Sequence, residues 1–144
     1  MKTTHRRKSR ELAAQAIYSW QMTGNKIDVV IEAMIEENDV KTFDAAYFQK
    51  LVNGVFVNVD SIDQAYKPHL ARSMEELDLV EQAILRVSTF ELSECHDVPY
   101  RVVINEAIEV AKVFAADDSH KFVNGVLDKA VKFIRKDEVA SDSE

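Results

Sequence analysis

Little in this chain bends or staples a backbone. Among 144 residues there are three glycines, two prolines and one cysteine. So few turn formers argue against a β-sandwich or barrel, which needs Gly- and Pro-rich turns between many short strands. The single cysteine, Cys95, excludes an internal disulfide framework and suits the cytoplasm. Apolar runs fall far short of a bilayer's thickness, and the basic N-terminus is not followed by the apolar stretch of a secretory signal. A glycine-rich phosphate loop, a paired-cysteine metal motif and a His-Glu-x-x-His run are all missing. Alanine, leucine, valine, glutamate and lysine fill the chain instead, the composition of an all-α protein.

Charge is scarce in one sign and unevenly placed. The net charge is −7, which argues against indiscriminate binding to nucleic acid. Yet residues 1–10 carry Lys2, Arg6, Arg7, Lys8 and Arg10, with His5, and no acid. Thirteen of the 18 basic residues are left to face all 25 acids in the remainder. A basic arm on an acidic body attracts phosphate at one place and repels it elsewhere. Arginine grips phosphate in two-pronged fashion and stacks on unpaired bases. Lys2, Arg6, Arg10 and Tyr18 share a helical ridge, so the arm is expected to present a ladder of cations. Five such charges on a single strand would give log K a salt slope of roughly −3 to −4.

An internal repeat sets the architecture. Lys121-Phe122-Val123-Asn124-Gly125-Val126-Leu127 is a near copy of Lys50-Leu51-Val52-Asn53-Gly54-Val55-Phe56. An Asn-Gly pair alone would suggest a hairpin. Here apolar residues recur at helical spacing through both glycines: Val123, Val126, Leu127, Ala130 and Ile134 in one copy, Phe48, Leu51, Val52, Val55 and Val59 in the other. A helical glycine costs about 1 kcal/mol against alanine, so a neighbouring helix is expected close to each. A second echo, in the same order, matches Glu11, Ala13, Ile17, Trp20 and Met22 to Glu81, Ala83, Val87, Phe90 and Leu92. The expected fold is all-α: two pseudo-repeated three-helix bundles, 1–72 and 73–137, sharing a core in one compact domain, then an acidic tail at 138–144 that frays.

In chain order, the first helix runs to about Thr23 and stops at Gly24. A short helix then buries Ile27, Val30, Ile31, Met34 and Ile35 and breaks at Asn38-Asp39. The next begins near Asp44, bends near Asp60-Ser61 and ends around Pro68. Ser73 and Glu76 have the spacing of a capping box for the fourth. Pro99 opens the fifth, and Asp118 or Ser119 caps the last after the joint 115–118.

Catalytic signals are poor. Cys95-His96 would be a nucleophile beside a base, but adjacent residues at a helix end point apart and no third group orients them. The four histidines are scattered, so no metal or other cofactor is expected. A second candidate surface is Ser119-His120-Lys121-Phe122, where Phe122 would stack a base and Asp118 would accept from a base amine; a core phenylalanine and a helix cap are the competing readings.

These residues resemble the NusB family. The likeness rests on Arg6-Arg7 with Arg10-Glu11, on Ala16-Ile17-Tyr18-Ser19-Trp20-Gln21, on Asp97-Val98-Pro99-Tyr100, on 104–109 with Ala111-Lys112, and most densely on 118–128. It implies the fold of two three-helix bundles and a non-enzymatic role in transcription antitermination. It further implies binding of boxA RNA, a single-stranded element of ribosomal-RNA leader transcripts, together with the ribosomal protein NusE, in a larger complex with other Nus factors and RNA polymerase. By position, Lys2, Arg6, Arg7 and Arg10 match the family's RNA-binding segment, with Lys8 and His5 at variable places. Asp118, Lys121 and Phe122 match a joint near the RNA, and Tyr18, Glu75 and Glu81 match the NusE face, where acids would suit a basic protein. The same fold opens certain ribosomal-RNA cytosine methyltransferases, whose catalytic domain would have to follow. Rival readings are a helical protein-interaction module with an incidental arm, an RNA-binding domain related to those methyltransferases, and a detached enzyme subunit. Homodimerisation is left open.

Overall fold

The computed structural model describes residues 3–142, so Lys2 lies outside the described residues. Eight α-helices account for about three quarters of them: α1 Thr3–Thr23, α2 Ile27–Glu37, α3 Ala45–Val57, α4 Val59–Tyr66, α5 Leu79–Glu94, α6 Tyr100–Phe114, α7 Ser119–Ile134 and α8 Lys136–Asp142. No strand occurs among the described residues. The chain is all-α, and both Asn-Gly pairs lie inside helices, α3 and α7.

Local chemistry sets the boundaries. Gly24 adopts φ 68°, and its N–H donates to the Trp20 carbonyl (2.9 Å), closing α1 with the left-handed residue glycine takes without strain. Asp44 caps α3 by accepting the Tyr47 N–H (3.0 Å). Ser9 ties that cap to α1, its hydroxyl donating to the Asp44 carbonyl (2.7 Å) and accepting the Asp44 N–H (2.9 Å). The expected bend falls earlier than Asp60-Ser61, at Asn58, whose side-chain amide donates to the Gly54 carbonyl (2.9 Å) and separates α3 from α4. The helix after residue 73 also starts later than its sequence suggests. Met74–Glu76 form a 3-10 turn, and Ser73 makes no side-chain cap bond. The capping box belongs to Asp78 and Glu81: Asp78 accepts the Val80 and Glu81 N–H groups, and Glu81 accepts the Asp78 N–H.

The core runs through both stretches of the repeat. Ala13, Ala16 and Ile17 on α1, Phe48, Leu51 and Val52 on α3, Leu85 and Leu92 on α5, Val103 on α6 and Val123 and Leu127 on α7 belong to one buried cluster. α1 packs against α3 of its own half and also against α5 and α6 of the other. Gly54 serves the close approach expected of it: a Cβ there would lie 2.1 Å from Phe90 Cζ on α5. Gly125 does not, since nothing lies within 4 Å of its would-be Cβ.

Two polar ties were not expected. Arg86 on α5 forks onto Asp63 of α4 (3.0 and 2.9 Å) and reaches Gln21 of α1 (3.0 Å). Arg135, buried after α7, donates to the carbonyls of Leu92, Cys95 and Val98 (2.8, 3.0 and 2.6 Å), and so closes the end of α5 with a cation. The stretch expected to fray is helical through Asp142. Glu138 accepts the Tyr100 N–H (2.9 Å), and Asp142 accepts from the Tyr100 hydroxyl (2.8 Å) and Arg101 (2.6 Å), so α8 is pinned to the start of α6.

Candidate nucleic-acid interface

The arm forms the first turns of α1, and its cations are not free. Arg6 lies over the Tyr47 ring (4.1 Å to the centroid) and 3.6 Å from Asp97, with its Nε unpaired among the described residues. Arg7 forks onto Glu106 of α6 (3.0 and 2.8 Å) and keeps its outer side open. Lys8 pairs with Glu11 one turn on (3.7 Å). Arg10 is buried, 5 % exposed. Its guanidinium grips Glu91 of α5 (2.9 and 2.7 Å) and touches Glu106 (3.4 Å). Tyr47 donates its hydroxyl to the same Glu91, and burial together with that carboxylate pushes the Tyr47 phenol far above its ordinary range.

The expected outward ladder is therefore broken at Arg10. It does stand on the expected ridge, but the acids that claim it lie 81 and 96 residues away in sequence and arrive only through packing. A buried guanidinium without carboxylates would carry a large desolvation cost, so this one is structural. Arg6, Arg7 and Lys8 are the arm cations with surface left for a ligand.

The joint before α7 is built differently. Asp118 stands in the left-handed region (φ 71°) and makes no side-chain cap bond; its carboxylate is exposed and 3.4 Å from the exposed Lys121 ammonium. Ser119 ties the joint to α5 by donating to Glu81 (2.9 Å). Phe122 is half-buried, one face packed on the core and the Arg72 guanidinium 3.9 Å from its ring centroid. The core and Arg72 thus both claim the ring that was expected to stack a base. The arm and the joint are not brought together: Arg7 and Arg10 meet α6 at Glu106, and the joint follows Phe114, about 12 Å further along the helix.

The three residues matched to a partner face separate as well. Tyr18 lines an apolar groove of about 380 Å³ with Ala14, Val80, Ile84 and Phe114. Glu75 is exposed on the 3-10 turn. Glu81 is 3 % exposed and occupied by the capping box, Ser119 and Arg72 (3.2 Å), so its carboxylate presents no charge to a partner. The capping-box spacing Asp78-x-x-Glu81 was the signal available for that role. Cys95 is buried, with burial pushing its thiol up, whereas His96 is exposed. Among the described residues no three His, Cys, Asp or Glu side chains gather as a metal site, and no helix is long and apolar enough to cross a membrane.

The family model described as NusB family matches residues 7–132. The chain belongs to the NusB family. Transcription antitermination protein NusB of Colwellia psychrerythraea is 59 % identical over 96 % of this chain and 100 % of its own. That of Pseudoalteromonas translucida is 59 % identical over 94 % and 100 %. In three dimensions, T. maritima NusB superposes with a TM-score of 0.83 at 30 % identity, covering 97 % of this chain and 99 % of its own. A crystal structure of antitermination factors NusB and NusE in complex with dsRNA superposes with a TM-score of 0.83 at 28 % identity, over 92 % and 99 %. The NusB-family match takes in Arg7, Arg10, the joint and the whole glycine-bearing stretch of α7.

Proposed function

We propose that this protein is a non-catalytic, RNA-binding transcription antitermination factor. It takes boxA RNA of ribosomal-RNA leader transcripts together with NusE, and the pair joins other Nus factors on RNA polymerase in the cytoplasm. The observation that carries the reading is the likeness, over 92 % of the chain, to a NusB solved with NusE and RNA. The site chemistry supports it. Arg6 and Arg7 offer phosphate contacts at the start of α1, and Lys121 with Phe122 offers a cation and a ring edge at the start of α7. NusE takes the apolar groove that Tyr18 and Phe114 line, and the exposed Glu75 offers an acid to a basic partner.

The test is a titration of labelled boxA RNA, with and without NusE, at two salt concentrations. Binding that tightens with NusE, weakens with salt and falls on Arg6→Ala with Arg7→Ala agrees with the reading. Absence of RNA binding in the presence of NusE would overturn it. A second reading, a protein-interaction module with an incidental arm, draws on the same apolar groove. It requires NusE association to continue while RNA binding is absent.

A further inference from the structure

The glycine of α7 is unexplained by internal packing. Its counterpart Gly54 makes room for Phe90, but Gly125 is exposed and faces open space. A glycine in mid-helix sacrifices stability, and what it gains must come from outside the fold. The surroundings say what could approach. At 3.6 residues per turn, Phe122, Lys129 and Phe133 fall within about 20° of one line along the helix, and Gly125 stands about 60° to one side of it. Lys132 flanks that line. Phe133 is 75 % exposed and stacks at a tilt on His69 (centroids 5.2 Å, 32°). The segment 67–72 runs beside α7, so that His69 meets Phe133 at one end and Arg72 covers Phe122 at the other. From Phe122 to Phe133 the strip is about 16 Å long.

Its cations differ from those of the arm. Every described cation of the N-terminal arm from Arg6 to Arg10 has a carboxylate partner. Lys129, Lys132 and the adjoining Lys136 are exposed and, among the described residues, pair with none, although Asp128 and Asp137 stand nearby. Unpaired ammoniums beside one exposed ring, Phe133, and next to a backbone bared by glycine suit a single-stranded nucleic acid: phosphates for the lysines, a flat base for the ring.

We infer that the outer face of α7, from Lys121-Phe122 across Gly125 to Lys129, Lys132 and Phe133, is a track for single-stranded RNA that continues the contact begun at the joint. The occupant is the leader sequence flanking boxA, on one side of it. The inference rests on the proposed function for the contact at Lys121-Phe122.

The experiment uses the full chain with NusE and four probes: boxA RNA alone, boxA RNA extended at its 5′ side, boxA RNA extended at its 3′ side, and oligo(U). The variants are Lys129→Glu with Lys132→Glu, and Phe133→Ala, all at exposed positions; circular dichroism checks that each folds. The wild type should bind one extended probe more tightly than boxA alone. The lysine variant should abolish that advantage and flatten the extended probe's salt slope by about 1.4, at roughly 0.7 for each phosphate left without its lysine. Phe133→Ala should reduce the advantage on the order of tenfold. Neither should alter binding of boxA alone. Equal binding of all three boxA probes, or an advantage that survives the variants, would overturn the track. Displacement of the extension from the track by polyglutamate as readily as by oligo(U) would overturn RNA as its occupant. If boxA alone fails to bind while oligo(U) binding still depends on Lys129 and Lys132, the track stands and the antitermination reading falls.

Discussion

Arg10 on α1 and Glu91 on α5 form a forked ion pair at the centre of the molecule, with side chains 6 % and 1 % exposed. Arg10→Ala would strand Glu91 and part of Glu106 in the interior. Removing one partner of a buried pair costs about 3–5 kcal/mol. We expect the urea midpoint to fall accordingly, while the salt slope of RNA binding by the folded fraction stays where it was. A flattened slope with unchanged stability would place Arg10 on the ligand instead.

Glu81 behaves in the same sense. Glu81→Lys removes half of the capping box and the acceptor for Ser119, and it buries a second cation near Arg72. The expected result is loss of thermal stability together with any loss of NusE association. Glu75→Lys, on the exposed turn, should weaken NusE binding in calorimetry without a change in melting temperature.

The two repeat glycines should respond oppositely. Gly54→Ala forces a Cβ into the buried Phe90 ring and should destabilise by about 1–3 kcal/mol. Gly125→Ala meets no neighbour and should raise stability by up to about 1 kcal/mol. Paired denaturation curves check both.

Arg135→Ala would leave the carbonyls of Leu92, Cys95 and Val98 without their donor in a buried site. A loss on the order of 3 kcal/mol is expected, from unmet buried acceptors and a vacated volume. Arg135→Lys should recover little of it, because one ammonium cannot serve three diverging carbonyls as a fork does.

The docking of α8 should depend on acid. Burial works to raise the Glu138 carboxyl, but the Tyr100 N–H and Arg135 outweigh it and hold the group below its ordinary value. A carboxyl depressed by folding stabilises fully above its unfolded pKa, and the effect is lost as pH falls through the folded one. The Tyr100 amide resonance should therefore shift as the solution is acidified below the usual carboxylate range. In Glu138→Gln that titration should disappear.

Much of the fold could be read in advance because it depends on neighbours in sequence. The glycine repeat, the stop at Gly24, the helix start near Asp44 and the joint at 115–118 all follow from local pattern. Ser73-x-x-Glu76 misled because Asp78-x-x-Glu81 offers the same spacing, and burial of Leu77 and Glu81 selects the later frame. The site was less legible. Helical periodicity places Arg10 on a ridge but cannot say that Glu91 and Glu106 close over it, nor that Arg135 is drawn inward by carbonyls far from it in the chain. Similarly, the two glycines look alike as letters and differ only in what stands above them.

The interlocking of the two repeated halves has a consequence for anyone who would cut the gene. Phe90 of one half fills the hollow left by Gly54 of the other, and Arg86 and Arg10 each reach across the same seam. A peptide-bond break at the exposed Ser73 should thus be silent, yielding a nicked molecule that stays whole. Each fragment expressed by itself should be insoluble, and co-expression of the two should restore a heterodimer, which makes the protein a ready-made split reporter.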